Sequence, residues 1–246
     1  MYGYTKTGSL LRIQGDYDAS LKAYGDALGI TRELAQSDAS SLDIKRDVGS
    51  WLTEIAIIRA LKGDFEGCRQ AAEESAASLR VLMAADATDV ASQQYLANAL
   101  NVLGDALSAK ADYAGARRAF DEALKLNHAL LAKISDSTDI QNGLSGSQLA
   151  IGKMLNRQGD RAGALKSLQQ SLEARKRLAT ADPGNPALRR GVAEVMHELA
   201  AAPGSPVDWD AFRSYVKDMD GKGQLWPSDR SWLEEPPRQG ASGGAQ

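Results

Sequence analysis

The side chains that could catalyse a reaction are few and far apart in this sequence. Cys68 is the only cysteine, and the two histidines, His128 and His197, stand 69 residues apart. A cysteine nucleophile needs a neighbouring base, and a structural zinc site needs about four Cys or His ligands. We expect Cys68 to be a buried, inert thiol and both histidines to be surface or groove residues on helices. The sequence therefore predicts no enzyme activity, no metal and no cofactor.

Residues 143–147 offer a second candidate, because Gly-Leu-Ser-Gly-Ser superficially resembles the nucleophile elbow of hydrolases. That elbow ends in a glycine and follows a strand, whereas position 147 is a serine in a stretch without strand character. The chain also lacks a glycine-rich loop ending in lysine that could hold a phosphate. We predict neither acyl transfer nor phosphoryl transfer.

Composition narrows the class of protein further. Of the 246 residues, 43% are hydrophobic and only 6% aromatic, and the abundance of alanine favours closely packed helices over sheets. The net charge of −3 is unlike that of most nucleic-acid binders, whose affinity depends on basic side chains. No apolar run approaches a membrane span of about 18 residues, and the N-terminus lacks a signal-peptide layout, so we expect a cytoplasmic protein.

An internal repeat of 48 residues indicates the elements that must position any functional side chain. Turn-forming dipeptides start at Gly15, Gly63, Ala111 and Gly159, each followed by aspartate. Small residues recur before each turn, at Gly8, Ala56, Gly104, Gly152 and Ala200, and after it, at Ser20, Cys68, Ala116 and Ala164. We call residues at equivalent positions of successive units a column. One further column contains Tyr24, Ala72, Phe120 and Leu168, and another contains Ala27, Ser75, Ala123 and Ser171. Spacings of 3 and 4 define one helix face, so the repeat predicts antiparallel helical hairpins.

The first unit carries the clearest family pattern, in Gly8, Leu11, Gly15-Asp16-Tyr17, Tyr24 and Ala27. This pattern resembles the tetratricopeptide repeat, although that repeat is usually about 34 residues long. We attribute the longer period of 48 to extra residues in both helices. The resemblance covers residues 1–201 and implies an all-α, right-handed superhelix. It is closest to long-helix bacterial arrays, which often follow signalling, protease-like or nucleotide-binding domains.

The chain is predicted to have three regions. Residues 1–202 form the array, with four hairpins and a fifth first helix. Residues 203–235 contain three of the four tryptophans and are expected to cap the solenoid, since terminal repeats need atypical covers; a site for an apolar peptide is the alternative. Residues 236–246 read as a disordered tail. The array begins partway through a helix, so we expect either a short first helix or a fragment of a longer array.

The resemblance implies that a partner binds on the concave face, which the first helix of each unit lines. Polar side chains suited to a peptide are expected there at Arg12, Asn98, Asn101, Asp105, Lys153, Asn156 and Arg157. Further exposed positions are expected at Thr53, Ile57 and His197. Chaperone-binding relatives hold a carboxylate with Lys and Arg at positions that lack both residues here, so we do not expect that recognition.

The favoured function is a protein-interaction scaffold that binds a peptide or partner domain in the concave groove without catalysis. One alternative is a regulatory or sensor module of a larger bacterial signalling effector. Another is weak binding of nucleic acid or an acidic partner through residues 153–190, which hold nine basic and three acidic side chains. An exposed apolar start would also permit a weak homodimer through the N-terminal hairpin.

Overall fold

The computed structural model describes residues 2–38 and 40–234, so the predicted tail at 236–246 lies outside it. The all-α prediction is confirmed, because the described residues form ten α-helices and one 3₁₀ helix without a strand. The α-helices are α1 Tyr2–Gln14, α2 Tyr17–Ser37, α3 Leu42–Leu61, α4 Phe65–Ala85, α5 Val90–Ala109, α6 Tyr113–Lys133, α7 Thr138–Gln158, α8 Arg161–Ala181, α9 Pro186–Ala201 and α10 Trp209–Gly221. The 3₁₀ helix is Pro227–Leu233. None of the described helices is both long and apolar enough to cross a membrane.

The tight turn inside each hairpin has the same chemistry in all four units. An aspartate carboxylate accepts a hydrogen bond from the backbone N–H three residues on, which caps the second helix. The residue before that aspartate takes a positive φ of 86° at Gly15, 78° at Gly63, 63° at Ala111 and 86° at Gly159. Glycine adopts this conformation without steric cost. The recurring Gly-Asp therefore reflects hairpin geometry, and the second helices begin 48 residues apart.

In three of the four hairpins, the two helices cross where a glycine on one faces a larger residue on the other. A Cβ added to Gly104 would lie only 2.3 Å from Cε1 of Phe120, which is fully buried. The same two columns hold Gly8 and Tyr24, Ala56 and Ala72, and Gly152 and Leu168 in the other units. The backbones approach closely because one side of each contact has little or no side chain.

Consecutive helices pack against each other from α1 to α9. The first helices of neighbouring units are also in contact, α3 with α5 and α5 with α7, so they form the inner wall of the solenoid. Three of these helices begin after a polar N-cap residue, Asp89, Ser137 or Asn185, whose side chain accepts a backbone hydrogen bond from the first turn. The first helices therefore present one continuous concave surface.

The chain after α9 folds back on the array. Helix α10 packs against α9 through a buried cluster that includes Phe212, Val216 and Met219. The 3₁₀ helix contacts α10 and also α1, at the other end of the chain. We call residues 226–233 the C-terminal clasp, because they bring the last elements of the solenoid against the first. The role of residues 203–235 as a cap stays a prediction.

Candidate binding groove

A groove of about 600 Å³ lies on the concave face and is lined by four columns of residues at the 48-residue spacing. The first three columns are Ser50, Asn98, Gly146, Glu194; Thr53, Asn101, Leu149, His197; and Glu54, Val102, Ala150, Glu198. The fourth is Ile57, Asp105 and Lys153. Within one helix these positions stand 3, 1 and 3 residues apart, which places them on one face. The repeat therefore builds the groove, and the side chain in each column sets the local chemistry.

Four of the seven predicted binding residues line this groove: Asn98, Asn101, Asp105 and Lys153. Asn98 is exposed, whereas the other three are partly buried. Their spacing on α5 and α7 follows the columns, so the helical period was sufficient to place them together.

The other three predicted residues are not among those that line the groove. The Arg12 guanidinium lies 6.0 Å from the ring centre of Trp226 in the clasp. Nη1 of Arg157 donates to Oγ of Ser108 at 3.1 Å, which ties the end of α7 to α5. Asn156 shares a column with the buried Ser108, beyond the last groove position of each first helix. The last turns of these helices therefore do not continue the groove face.

Thr53 was expected to be exposed, but its side chain is buried. It is only 6% exposed, and its Oγ1 lies 2.9 Å from Oγ of Ser75 on the second helix of the same unit. The same Oγ1 donates to the backbone oxygen of Gly49 at 3.0 Å. Thr53 therefore borders the groove with its polar atom already used inside the hairpin.

Four charged side chains form an ionic network at the clasp end of the groove. Nη1 of Arg175 donates to Glu194 at 2.8 Å and to the backbone oxygen of Gly191 at 2.7 Å. Arg190 also donates to Glu194, and its Nε donates to Asp229 at 2.7 Å. Burial opposes ionisation of Glu194, but the charges of Arg175 and Arg190 outweigh it and hold the pKa of Glu194 below its usual range. This ionic network links α8, α9 and the clasp.

Part of the basic region at residues 153–190 is paired with acidic side chains inside the fold. Arg175 and Arg189 are each only 8% exposed, and Arg189 donates to Asp218 at 2.6 Å. The acidic partners of Arg175, Arg189 and Arg190 all follow residue 190, so a count within the region could not include them. Three of its nine basic residues are therefore neutralised inside the fold.

Sequence reasoning missed Arg175, although a signal for it was present. It shares a 48-residue column with Thr31, Leu79 and Asn127, and all four positions are buried in the structure. A charged residue in a column that is otherwise uncharged needs a buried partner, and Glu194 supplies it. Trp232, which also lines the groove, could not be found in this way because the clasp is not part of the repeat.

Three oxygen atoms of the groove side chains are buried without a hydrogen-bond partner among the described residues. They are Oε2 of Glu54, Oδ1 of Asn101 and Oδ1 of Asp105. Burial also raises the pKa of the Asp105 carboxyl above its usual range, and the charges of Lys153 and Arg157 offset only part of that rise. An unsatisfied buried polar group costs about 1–3 kcal/mol, so packing alone does not account for these three.

The potential catalytic side chains do not form a site. Cys68 is fully buried as predicted, and burial, with smaller contributions from Asp105 and Asp64, raises the pKa of its thiol to about 12. His128 is exposed on α6, whereas His197 borders the groove with its ring centre 5.3 Å from that of Trp209. Within the described residues, no three His, Cys, Asp or Glu side chains gather in a way that could hold a metal ion.

Comparison with known proteins identifies the repeat in part of the chain. No curated protein matches the sequence. The crystal structure of BtubC (BKLC) from P. vanneervenii is similar with a TM-score of 0.51, over 88% of this chain and 80% of that one. Its sequence identity of 16% limits the likeness to the fold. The family model for the tetratricopeptide repeat matches residues 96–135 and 146–182, which cover most of the α5–α6 and α7–α8 hairpins. Residues 96–135 and 146–182 are therefore tetratricopeptide repeats.

Proposed function

We propose that this protein is a non-catalytic scaffold that binds a peptide or a segment of a partner protein in the concave groove. The observation that carries the proposal is the groove itself, about 600 Å³ in volume and lined by columns from four successive first helices. Its buried oxygen atoms without partners are the groups that a bound segment would supply with hydrogen bonds. The family supports the proposal, because tetratricopeptide repeats generally mediate protein–protein interaction.

Affinity capture from a native lysate tests the proposal when two matched double variants are compared with the unmodified chain. Asn98→Ala/Lys153→Ala removes two side chains that line the groove. Asn156→Ala/Lys166→Ala removes the same two residue types from positions outside it. A partner that is lost only with the groove variant supports the proposal. A partner that both variants retain equally binds another surface and contradicts it.

A further inference from the structure

We infer that the groove recognises a cationic side chain, arginine or lysine, on the segment that it binds. The inference rests on the proposed function and names the chemistry of that same site. Three independent features of the lining point to it: the balance of charges without partners, the type of the unsatisfied atoms and an exposed aromatic ring in the same groove.

The charged side chains of the groove fall into two sets. The ionic network is internally neutralised, because each of its arginines already has carboxylate partners. The second set contains Glu54, Asp105, Glu198 and Lys153, none of which makes a salt bridge with another described residue. Three carboxylates against the ammonium of Lys153 and the nearby guanidinium of Arg157, which also acts on Asp105, leave a surplus of one negative charge. An occupant that carries positive charge is therefore complementary to it.

The buried atoms without partners are acceptors on one wall of the groove. Glu54 belongs to α3, Asn101 and Asp105 belong to α5, and these two helices are in contact. Lysine and arginine side chains carry only donors, up to three and five N–H groups respectively. A carboxylate occupant would add more acceptors and more negative charge at the same wall. The unpartnered Nε atoms of Arg175 and Arg12 do not alter this. The Arg175 guanidinium is already bonded through Nη1 within the ionic network, and Arg12 is not among the residues that line the groove.

An exposed aromatic ring lines the same groove. Tyr95 lines the groove and is 37% exposed. A cation is attracted to the face of an aromatic ring within about 6 Å of its centre. The chain already uses this contact at the clasp, where the Arg190 guanidinium lies 4.7 Å from the ring centre of Trp226. Tyr95 offers such a face to a ligand that lies in the groove.

Fluorescence anisotropy with two labelled peptides, hexa-arginine and hexaglutamate, tests the inference. The unmodified chain should bind hexa-arginine more tightly than hexaglutamate. Glu54→Gln/Asp105→Asn should weaken hexa-arginine binding by about tenfold or more, since it removes two charge-assisted contacts. Lys153→Ala should tighten it, because a like charge leaves the groove. An effect limited to protein folding would not give this change of opposite sign.

The control variant Glu33→Gln/Glu173→Gln removes the same charge from exposed positions on α2 and α8. It should leave the dissociation constant for hexa-arginine within about twofold, since exposed charges are screened by salt. If this control weakened hexa-arginine binding as much as the groove variant does, the inference would be overturned, because binding would then depend on the net charge of the whole protein. Tighter binding of hexaglutamate that depends on Lys153 would also overturn it while leaving the groove function intact. The proposed function is contradicted by a different result, in which the partners captured from a lysate bind equally well to Asn98→Ala/Lys153→Ala and to the unmodified chain.

Discussion

Asp105 has opposing effects on stability and on binding. Its carboxyl group lies in the groove with one oxygen buried and unpartnered, and burial raises its pKa above the ordinary value. A raised pKa means that the folded state resists an ionisation that the unfolded chain accepts freely. The fold is therefore less stable at neutral pH than it would be with a neutral side chain at this position. Residues that reduce stability in this way are common where function requires them.

Asp105→Asn is accordingly expected to stabilise the protein at pH 7.5, by about 2–4 °C in melting temperature, the shift that ~1 kcal/mol produces in a chain of this size. At a pH below the ordinary Asp pKa of 3.8, the wild-type carboxyl is protonated in both states, so the gain should shrink as the pH falls toward that value. Thermal melts at several pH values measure this. Asp136→Asn, in an exposed loop, is the control. A gain in melting temperature that does not change with pH would contradict this prediction.

The candidate site was predictable only where one helix face carried the information. The positions of Asn98, Asn101, Asp105 and Lys153 followed from helical spacing. The contact between Arg157 and Ser108 was not predictable, because Ser108 stands 49 residues earlier, in another unit, and spacing within one helix does not show such a contact. The partners of the ionic network come from three separate elements, and no local pattern brings them together.

At the scale of elements, the hairpins depend on crossings between small and large residues. Gly104 and Phe120 make this contact in the third unit, where no Cβ could be added without displacing the ring. The second unit has Ala56 and Ala72 in the same columns, and both are fully buried. The crossing therefore accepts different pairs of side chains, but a large residue on one helix requires a glycine opposite it in the third unit.

Gly104→Ala should therefore destabilise the protein by about 1–3 kcal/mol when Phe120 is present. In the Phe120→Ala background the clash is absent, and the same substitution should stabilise by up to about 1 kcal/mol, because alanine is the better helix former. Urea unfolding of the four proteins of this double-mutant cycle measures the coupling. Additive effects would show that the two residues do not restrict each other.

The helices themselves were largely predictable, because the 48-residue repeat marks turns, crossings and caps in every unit. Even the turn at Ala111 was placed correctly, although it lacks the usual glycine and takes a φ of 63°. The clasp was not predictable in this way. Its contact with α1 joins residues more than 200 positions apart, and a repeat pattern describes only neighbouring units.

At the scale of the whole molecule, the clasp joins the two ends of the array. Asp229 is only 5% exposed and accepts two hydrogen bonds from Arg190, at 2.7 Å and 3.1 Å. Trp226 lies between the guanidinium groups of Arg190 and Arg12, which belong to α9 and α1. The ion pair and the stacked ring therefore fix the clasp to opposite ends of the solenoid.

Asp229→Ala should release the clasp, since removing one partner of a buried ion pair costs on the order of 3 kcal/mol. We expect faster tryptic cleavage after the exposed Lys222, together with a larger radius of gyration in small-angle scattering. The control Asp210→Ala removes an exposed carboxylate from α10 that pairs only with Arg213 on the same helix. Identical cleavage of the two variants would mean that the ion pair does not hold the clasp.

The contact between the clasp and α1 also has a mechanical consequence. A helical solenoid with free ends behaves as a soft spring, because each unit is held only by its neighbours. Here the two ends of the spring touch, so a pulling force cannot lengthen the array before that contact breaks. Under load, the molecule should resist small extensions stiffly, rupture once at the clasp and then stretch with the compliance of an ordinary solenoid.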